Sequence, residues 1–352
     1  MENKKNQTTI YDVAYKAGVS ISTVSRVLNG SVGVLDETRE KVMKTVSDLN
    51  FKPSSVARSL VLKQVNLIQV CFSWSSGQYH INLENPWYLE LLNGINQVVQ
   101  DREYGLLINT LSGVFDPQEV YRRVSRNAVD GILLVSPYLG EEELRQIKNY
   151  PVPVLLIGCR VDDPQIDYVV SDNAKAVAGV VDHLLGLGHE KIACITGEVE
   201  ISADAAERLK EFQTAMANQG FKVPKDFVVS GDFSRESGVK AMKKLMGLKE
   251  KPTAVFVSND LMALGAWDVL MEEGLEVGKD MALVGFDDIE AASKKPYSLT
   301  TVKQDFRAIS TQATNILIDK MQKPDEWLTR QILVPTQLVI RQSSGSRLKS
   351  RG

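Results

Sequence analysis

The chain has 352 residues, of which 43% are hydrophobic and 24% charged, and its formal net charge is −3. This length predicts two or three domains, and the composition is typical of a globular protein and excludes a low-complexity or collagen-like one. The N-terminus carries no apolar signal segment and no run of 18 apolar residues occurs, so the sequence predicts a cytoplasmic protein without a membrane partner.

The charge is divided unevenly along the chain. Residues 1–63 hold ten Lys or Arg against six Asp or Glu, a net charge of +4, whereas the other 289 residues carry −7. A basic N-terminal part is where contact with DNA phosphates belongs, and an acidic remainder disfavours nonspecific attachment to DNA. Many solvated helices carry as much positive charge, so this excess alone is modest support for a DNA-binding function.

The cysteine and histidine pattern points to no metal or redox site. Cys71, Cys159 and Cys194 lie in or at the end of apolar runs, so we expect reduced thiols in the core. His183 and His189 are six residues apart, which is not one helical turn, so we interpret both as structural. No glycine-rich phosphate loop and no nucleophile motif occurs, and the sequence therefore predicts no catalytic residue, no cofactor and no enzyme.

Two short helical patterns within residues 8–29 flank a tight break at Gly18. Thr9 can cap the first helix and Ser20 the second, while the glycine permits the left-handed backbone between them. Apolar residues at three- and four-residue spacing give each helix one buried face: Ile10, Val13, Ala14 and Ala17, then Val24, Val27 and Leu28. The outward residues of the second helix are mostly small or hydrogen-bonding, so it can enter a major groove, where Arg26 can donate two hydrogen bonds to a guanine.

An ordinary helical hairpin with a solvated outer face is the alternative for this stretch. Residues 36–49 predict a third helix, whose apolar face is enough to close a three-helix core. After Pro53 a short helical stripe begins within residues 56–60. These two features favour a DNA-binding head over a hairpin.

From Val65 onwards, short apolar runs alternate with amphipathic stretches, which is the pattern of βαβ units around parallel sheets. The predicted strands are 65–72, 104–109, 129–135, 152–157, 168–170, 191–196, 227–230, 253–257 and 281–285. The predicted helices are 87–101, 117–127, 141–149, 173–187, 204–219, 235–247 and 261–273. Two such series predict two α/β lobes with a ligand between them, at the carboxyl ends of the strands.

These segments resemble the LacI/GalR family of bacterial repressors. The head and hinge match through Thr9-Ile10, Asp12-Val13-Ala14, Ala17-Gly18-Val19-Ser20, Thr23 to Asn29 and Pro53 to Leu60. The body matches through Asn85-Pro86-Trp87-Tyr88, Val170-Ser171-Asp172-Asn173, Arg208-Leu209, Val257-Ser258-Asn259-Asp260 and Val284 to Asp288. The resemblance runs to about Arg341. It implies an all-α three-helix helix-turn-helix head with a hinge helix, followed by an α/β two-lobe periplasmic-binding-protein-like domain with two parallel sheets and three crossovers.

The predicted domain boundaries follow from this resemblance. They are a head at 1–52, a hinge at 53–63, an effector-binding and dimerisation domain at 64–342, and a disordered tail at 343–352. Within the body we expect an N-lobe of 64–162 plus 290–324 and a C-lobe of 163–289 plus 325–342. The sequence departs from the family at Leu35, where relatives usually have a serine that caps the third helix, and Asp36 can take that role.

The resemblance also assigns the DNA contacts. Ile21, Ser22 and Arg26 would read bases, and Leu60 of paired hinge helices would wedge between base steps in the minor groove. The full set implied is Thr9, Tyr11, Ser20, Ile21, Ser22, Ser25, Arg26, Asn29, Ala57 and Leu60. Two heads on two half-sites imply a homodimer on a pseudo-palindromic operator.

Carried over residue by residue, the effector-binding set is Phe72, Trp74, Arg160, Arg208, Phe233, Asn259, Asp287 and Phe306. Without the resemblance, the phenylalanines could be core residues, Asp287 a helix cap and Arg208 a surface charge. Two departures affect this site. The segment 73–84 is longer than usual and adds Tyr79 and His80, and Gly158-Cys159-Arg160 stands where some relatives have a ligand-binding aspartate.

The sequence thus predicts a DNA-binding repressor whose small-molecule effector is a carbohydrate, either a sugar or a sugar phosphate. A purine effector, or a regulator controlled by a phosphorylated protein corepressor, is the alternative. A solute-binding module for a transporter would need the signal segment that this sequence lacks and would have no use for the head.

Overall fold

The computed structural model describes residues 8–28, 33–51, 65–73, 86–111, 116–127, 129–135 and 139–345. The chain divides into two compact units, Met1–Val65 and Asn66–Gly352, which we call the head and the body and describe separately. The predicted hinge and the contacts assigned to Asn29, Ala57, Leu60 and Trp74 lie outside the described residues, as do Tyr79 and His80. No helix in the described ranges has the length and apolar character needed to cross a membrane.

The described part of the head consists of three helices, as predicted: α1 (Ile10–Ala17), α2 (Ile21–Leu28) and α3 (Asp36–Asp48). Gly18 ends the first helix in the left-handed region, with φ 63°. The three helices bury one small apolar cluster of Val13, Ala14, Ala17, Val24, Val27 and Val42. Because every helix contributes to this core, the second helix is held rigidly with its other face outward.

The predicted cap of the third helix is wrong. Asp36 is the first residue inside the helix, and the capping position is Leu35, which forms no side-chain hydrogen bond and is 78% exposed. A leucine cannot accept a bond from the first amide groups of the helix, so these donors are left to water.

Leu35→Ser is expected to stabilise the head by about 1 kcal/mol, because a serine hydroxyl at the cap can accept from the backbone N–H of Glu37 or Thr38. Hydrogen exchange of the α3 amides in the full-length protein measures this as a roughly fivefold gain in protection. Leu35→Ala removes the same exposed apolar side chain without adding an acceptor and is the matched control. Equal protection in the serine and alanine variants would contradict the expectation.

The body contains two six-stranded sheets flanked by helices. Its strands are β1 Leu67–Ser73, β2 Gly105–Leu111, β3 Gly131–Val135, β4 Val154–Ile157, β5 Asp167–Ser171, β6 Ile192–Thr196, β7 Val228–Ser230, β8 Ala254–Val257, β9 Ala282–Asp287, β10 Thr300–Lys303, β11 Gln331–Val334 and β12 Gln337–Val339. Its helices are α4 Pro86–Asp101, α5 Pro117–Asn127, α6 Glu141–Lys148, α7 Asn173–Gly186, α8 Ala203–Asn218, α9 Arg235–Met246, α10 Asp260–Glu272, α11 Glu290–Ser293 and α12 Phe306–Gln322. Short 3-10 turns occur at Lys225–Phe227, Pro324–Glu326 and Gln342–Ser344.

The first sheet has the order β11-β5-β4-β3-β1-β2 and the second β12-β10-β9-β8-β6-β7. All neighbouring strands are parallel except β10 and β12, which are antiparallel. Central strands such as Gly131–Val135 are buried at every residue, because helices cover both faces of each sheet. The predicted fold class, with two parallel sheets in a two-lobe body, is confirmed.

The predicted crossing points between the lobes, near 162, 290 and 324, each fall about 10 to 15 residues before the observed ones. The chain leaves the first sheet after Ser171, returns to the first lobe between Lys303 and Phe306, and leaves again between Val334 and Gln337. The predicted N-lobe therefore lacked β5 and β11, and the predicted C-lobe lacked β10. These three strands are short and carry polar residues, so the sequence pattern does not show to which lobe each strand belongs.

Asp167 holds the last first-lobe segment in place. Its carboxylate is fully buried and accepts hydrogen bonds from Lys320 Nζ at 2.6 Å, from Trp327 Nε1 at 3.0 Å and from the backbone N–H of Arg330 at 2.7 Å. These donors belong to α12 and to the segment leading into β11. One side chain in β5, at the end of the chain's first pass through this lobe, thus holds both α12 and β11 of the second pass.

The predicted disorder from residue 343 is wrong for its first three residues. Ser343 and Ser344 are fully buried, and the Ser343 hydroxyl donates to the backbone carbonyl of Leu283 at 2.6 Å. Gly345 lies so close to Gly278 that an added Cβ would be 1.9 Å from its carbonyl oxygen. Small residues allow this segment to sit against β9, although its composition is that of a flexible tail. The residues after 345 lie outside the described ranges.

All three cysteines lie in the described ranges, are buried and take part in no disulfide. Burial raises the pKa of the Cys159 and Cys194 thiols. The interpretation of the cysteines as core residues is confirmed.

Candidate functional sites

The second head helix presents the predicted outward face to solvent. Arg26 and Ser22 are exposed and Ile21 is 40% exposed, whereas Val24 and Val27 are buried in the head core. The three exposed residues sit within the first six positions of an eight-residue helix. A cation, a hydroxyl and an apolar side chain are therefore offered together on one narrow convex face.

Hydrogen bonds fix the start of this helix. The Ser20 hydroxyl accepts from the backbone N–H of Thr23 at 3.1 Å, which confirms the predicted cap. The same hydroxyl lies 2.7 Å from the Ser22 hydroxyl and 2.8 Å from the Thr23 hydroxyl. These small polar groups are thus oriented by one another before any partner arrives.

The first helix begins with a capping box. The Thr9 backbone N–H donates to Asp12 Oδ2 at 2.8 Å, and the Thr9 hydroxyl donates to the same oxygen at 2.7 Å. Hydrogen bonds from the backbone and hydroxyl of Thr9 lower the pKa of Asp12. Tyr11 is 67% exposed and Tyr15 is 92% exposed. Tyr15 was not singled out from the sequence, although an aromatic side chain on the outward face of such a short helix is the signal that could have found it.

The body has a cleft at the carboxyl ends of the first-lobe strands. It lies beside the points where the chain crosses between lobes. Aromatic, aliphatic and polar residues line it: Trp87, Leu91, Ile157, Gly158, Ser171, Asp204, Gln304, Phe306 and Ile309. This mixed lining suits a ligand with both apolar faces and hydroxyls.

Of the predicted effector residues, Phe306 lines this cleft. It is the first residue of α12 and meets Trp87 edge to face, with ring centroids 6.2 Å apart. Phe72 lies inside β1, is 1% exposed, and packs against Tyr88 with ring centroids 5.5 Å apart. Arg160 is half exposed, two residues beyond the lining residue Gly158.

A chain of hydrogen bonds runs along one side of the cleft. The Ser171 hydroxyl donates to Gln304 Oε1 at 2.5 Å, and Gln304 Nε2 donates to Asp287 Oδ1 at 2.7 Å. Ser171 ends the last first-lobe strand before one crossing, Gln304 lies in another crossing, and Asp287 ends a second-lobe strand. The three buried side chains therefore connect the two lobes where they would hinge.

Asn173 is the centre of a second polar network. Its Nδ2 donates to Asp204 Oδ1 at 3.0 Å and to Glu207 Oε2 at 2.6 Å, and its Oδ1 accepts from Arg208 Nε at 3.1 Å. The first turn of α7 is thereby joined to the first two turns of α8. Sequence reasoning missed Asp204 and Glu207 as site residues, although both lie within one helical turn of Arg208.

Arg208 is 4% exposed, so the alternative of a surface charge is wrong. Beside the bond to Asn173, its Nη1 donates to the backbone carbonyl of Ser258 at 2.7 Å, and its guanidinium lies 3.9 Å above the Phe286 ring. Its Nη2 is 3.9 Å from Asp204 Oδ1. Two of the five N–H donors of this guanidinium are hydrogen-bonded within the protein, and Nη2 faces a carboxylate.

Asn259 and Phe233 are joined to each other. Asn259 caps α10 by accepting from the Met262 backbone N–H at 3.0 Å, and its Nδ2 donates to the backbone carbonyl of Phe233 at 3.0 Å. Phe233 has a positive φ of 66°, and its ring covers Gly197 so closely that a Cβ there would be 2.2 Å away. This unusual backbone is held by Asn259, which orients the ring at the end of the second sheet.

Three carboxyl groups of this region have raised pKa values. Burial raises the pKa of Asp287 well above its ordinary value, against the lowering effect of Arg208. Burial also raises the pKa of Glu207, and that of Asp260 to about 6. Asp260 does not line the cleft but accepts from the Thr301 hydroxyl at 2.6 Å and from the Ile289 backbone N–H at 2.9 Å. The described residues hold no cluster of His, Cys, Asp or Glu arranged for a metal ion.

Comparison with protein families gives two matches. Residues 9–54 match the model of bacterial regulatory proteins, lacI family, and residues 181–344 match a periplasmic binding protein-like domain. Catabolite control protein A of Priestia megaterium is 33% identical over 96% of this chain and 99% of its own length. The HTH-type transcriptional repressor PurR of Aliivibrio salmonicida is 32% identical over 89% of this chain and 92% of its own length.

Two solved structures are similar along nearly the whole chain. A lac repressor dimer bound to operator and the anti-inducer ONPF has a TM-score of 0.83 and 29% identity, with 97% of this chain and all of that chain covered. A complex of the transcriptional regulator CelR with cellobiose has a TM-score of 0.69 and 28% identity, with 96% and 99% covered. These relatives are named as regulators of transcription and not as enzymes.

Proposed function

The chain belongs to the lacI family of bacterial regulatory proteins and is a DNA-binding transcriptional repressor, and we propose that a carbohydrate bound in the body cleft controls its hold on DNA. The cleft carries this proposal. It lies against the crossings between the lobes, and aromatic rings and polar side chains line it together. A regulator that binds operator DNA works where the DNA is, so we place it in the cytoplasm.

The head supports the proposed contacts with DNA. Ile21, Ser22 and Arg26 share the exposed face of α2 and are assigned to the bases, while Ser20 and Ser25 are assigned to the backbone. Thr9 and Tyr11 at the start of α1 join the backbone contacts in this proposal. Two heads are needed for two half-sites, so the active form is a homodimer on a pseudo-palindromic operator.

The hydrogen-bonded chain Ser171–Gln304–Asp287 supports control by lobe movement. A change in the angle between the lobes moves the crossing segment at Gln304 relative to β5 and β9. The two hydrogen bonds of Gln304 are therefore sensitive to the lobe arrangement. A ligand that fits one lobe arrangement better shifts the population towards it, by no more than its difference in affinity between the two. Arg208, Asn259 and Phe233 orient the second-lobe side of the cleft in this scheme.

Two other effectors stay among the candidates. One is a phosphorylated protein corepressor, and the other is a purine, which the similarity to the repressors named PurR supports. A pure solute-binding module is disfavoured because the head is intact and its recognition face is exposed.

The experiment is a titration of the full-length protein on the DNA upstream of its own gene, at fixed salt and with random competitor DNA. Each titration is repeated with sugars, purines and a phosphorylated phosphocarrier protein. Competitor-resistant binding that a sugar alters is expected. Binding altered only by the purine or by the carrier protein would mean that this partner, and not a carbohydrate, is the effector. Failure to enrich any site from random DNA would contradict the repressor function itself.

Leu60→Ser should weaken operator binding while leaving ligand binding to the body unchanged, because a hydroxymethyl group cannot hold base steps apart. Electrophoretic phasing of the bound operator measures the bend. Leu62→Ser makes the same change two residues later and is the control. Wild-type bending in the Leu60 variant would rule out the proposed wedge.

A further inference from the structure

The charges around the cleft are unbalanced. Asp204 lines it, Glu207 shares the Asn173 side chain with Asp204, and Asp287 accepts from the lining residue Gln304. Each of these three carboxyl groups is at most 20% exposed, and Arg208 is the buried cation among them. Arg160 lies 3.7 Å from Glu207 but is about half exposed, so water screens its charge. Among the described lining residues, Asp204 is the one ionisable side chain.

The buried cation is already paired within the chain. The Arg208 guanidinium donates to Asn173 and to the Ser258 carbonyl, lies over Phe286, and faces Asp204 with its remaining nitrogen. A phosphate at that nitrogen would have to compete with Asp204 and would approach its carboxylate at the same time. Both effects oppose the binding of a phosphorylated sugar.

Helix N-termini, the other common anion-binding feature, already carry acids here. The helices that follow β5 and β10 are capped by Asp172 and Asp305, whose carboxylates accept from Lys175 N and Ala308 N. The helix that follows β6 has Asp204 in its first turn. The positive ends of these helices are therefore neutralised within the chain, and a phosphate gains little from them.

Two hydroxyls at the same end of the second sheet await a partner. Thr196 ends β6, and Ser258 directly follows the neighbouring strand β8. Both residues are at most 2% exposed, and their hydroxyl groups have no hydrogen-bond partner among the described residues. Ser258 is the residue whose carbonyl holds Arg208. Buried hydroxyls without partners are costly, and a ligand with several polar groups would satisfy them.

We propose that the cleft selects a carbohydrate that carries an amino group and no phosphate, with the Asp204 carboxylate accepting from the ammonium. This inference rests on the proposed function and names the class of its effector. The ammonium supplies the positive charge that the three carboxyl groups lack, and the sugar ring lies against the Trp87 and Phe306 side chains that line the cleft.

Isothermal titration of the full-length protein with three matched sets tests this. The sets are glucose, mannose and galactose, each as the parent sugar, the 2-amino sugar and the 6-phosphate. In the set with the fitting stereochemistry, the amino sugar should bind on the order of tenfold more tightly than the parent, and the phosphate more weakly than both.

Asp204→Asn keeps an acceptor for Asn173 and removes the charge, so it should abolish the preference for the amino sugar. Glu207→Gln also keeps an acceptor for Asn173 and should reduce that preference. It is the second test variant if Asp204→Asn folds poorly. Asp226→Asn removes an exposed carboxylate outside the cleft and should leave all affinities unchanged.

Three results would overturn the proposal: a phosphate that binds as well as its parent, an amino sugar that binds no better than its parent, or no binding by any sugar. Operator binding by the same preparation, measured without ligand, separates these outcomes from a failure of the repressor function. A protein that binds its operator but prefers a phosphate ester remains a regulator with a different effector.

Discussion

Arg26→Ala is expected to weaken binding to the specific operator by roughly 1–3 kcal/mol, which is about 5- to 150-fold in Kd. Arg26 is exposed on the face of α2 that points away from the head core, in which Val24 and Val27 are buried. A guanidinium there can donate two parallel hydrogen bonds to one guanine, and alanine can donate none. Fluorescence anisotropy with operator and with single-base variants measures the loss.

The matched control is Lys44→Ala, which removes the same charge from the exposed face of α3. It should lower specific and nonspecific affinity little and equally, because it removes only a general attraction to phosphates. The Arg26 variant should instead lose its preference at one base pair. Wild-type affinity of the Arg26 variant for both operator and random DNA would mean that the register of the recognition helix is wrong.

Asp167→Ala is expected to destabilise the body by about 3–5 kcal/mol, because it leaves a largely buried ammonium, an indole N–H and a backbone N–H without their acceptor. The Lys320 side chain is 22% exposed and the carboxylate is fully buried, so water cannot replace the lost bonds easily. Urea unfolding of the full-length protein, followed by far-UV circular dichroism, measures the shift in the body's midpoint.

Glu290→Ala is the control for this variant. It breaks the ion pair with Lys294 on the short helix α11, where both side chains are exposed and solvent screens the pair. Its midpoint should stay close to that of the wild type. If the Asp167 variant unfolded at the same midpoint as this control, Asp167 would not be holding α12 and β11 to the first lobe.

The sequence was most informative where one rule governs many residues. Fully buried parallel strands give unbroken apolar runs such as Ile192–Thr196 and Ala254–Val257, and amphipathic helices between them keep a regular spacing. The strands that were missed follow other rules. Thr300–Lys303 and Gln337–Val339 are short and partly polar, so neither their length nor their composition separates them from loops.

The crossings between lobes could not be located from the sequence for a related reason. They consist of a few polar residues, such as Asp172 and Gln304-Asp305, that resemble any other turn. Only the order of strands within each sheet reveals where the chain changes lobe. The boundaries proposed at 162 and 290 instead followed turns inside a lobe.

The cleft was predictable in kind but not in detail. Parallel strands place their carboxyl ends together, so a site between the lobes was expected, and the family resemblance assigned Phe306 and Asp287 to it. Asp204 was missed because a carboxylate in the first turn of a helix is ordinary there. Asp204 matters because of its contacts with Asn173, which lies 31 residues earlier in the chain, and with Arg208, which lies one turn further along the same helix.

The central claim is that occupancy of the body cleft changes the affinity of the head for operator DNA. The most direct measurement is the operator Kd with and without a saturating sugar from the titrated sets, together with the Kd of that sugar with and without operator. The account predicts that both ratios differ from one and are equal, since the coupling between two binding sites is reciprocal. A sugar that binds the body while leaving operator affinity unchanged would contradict it.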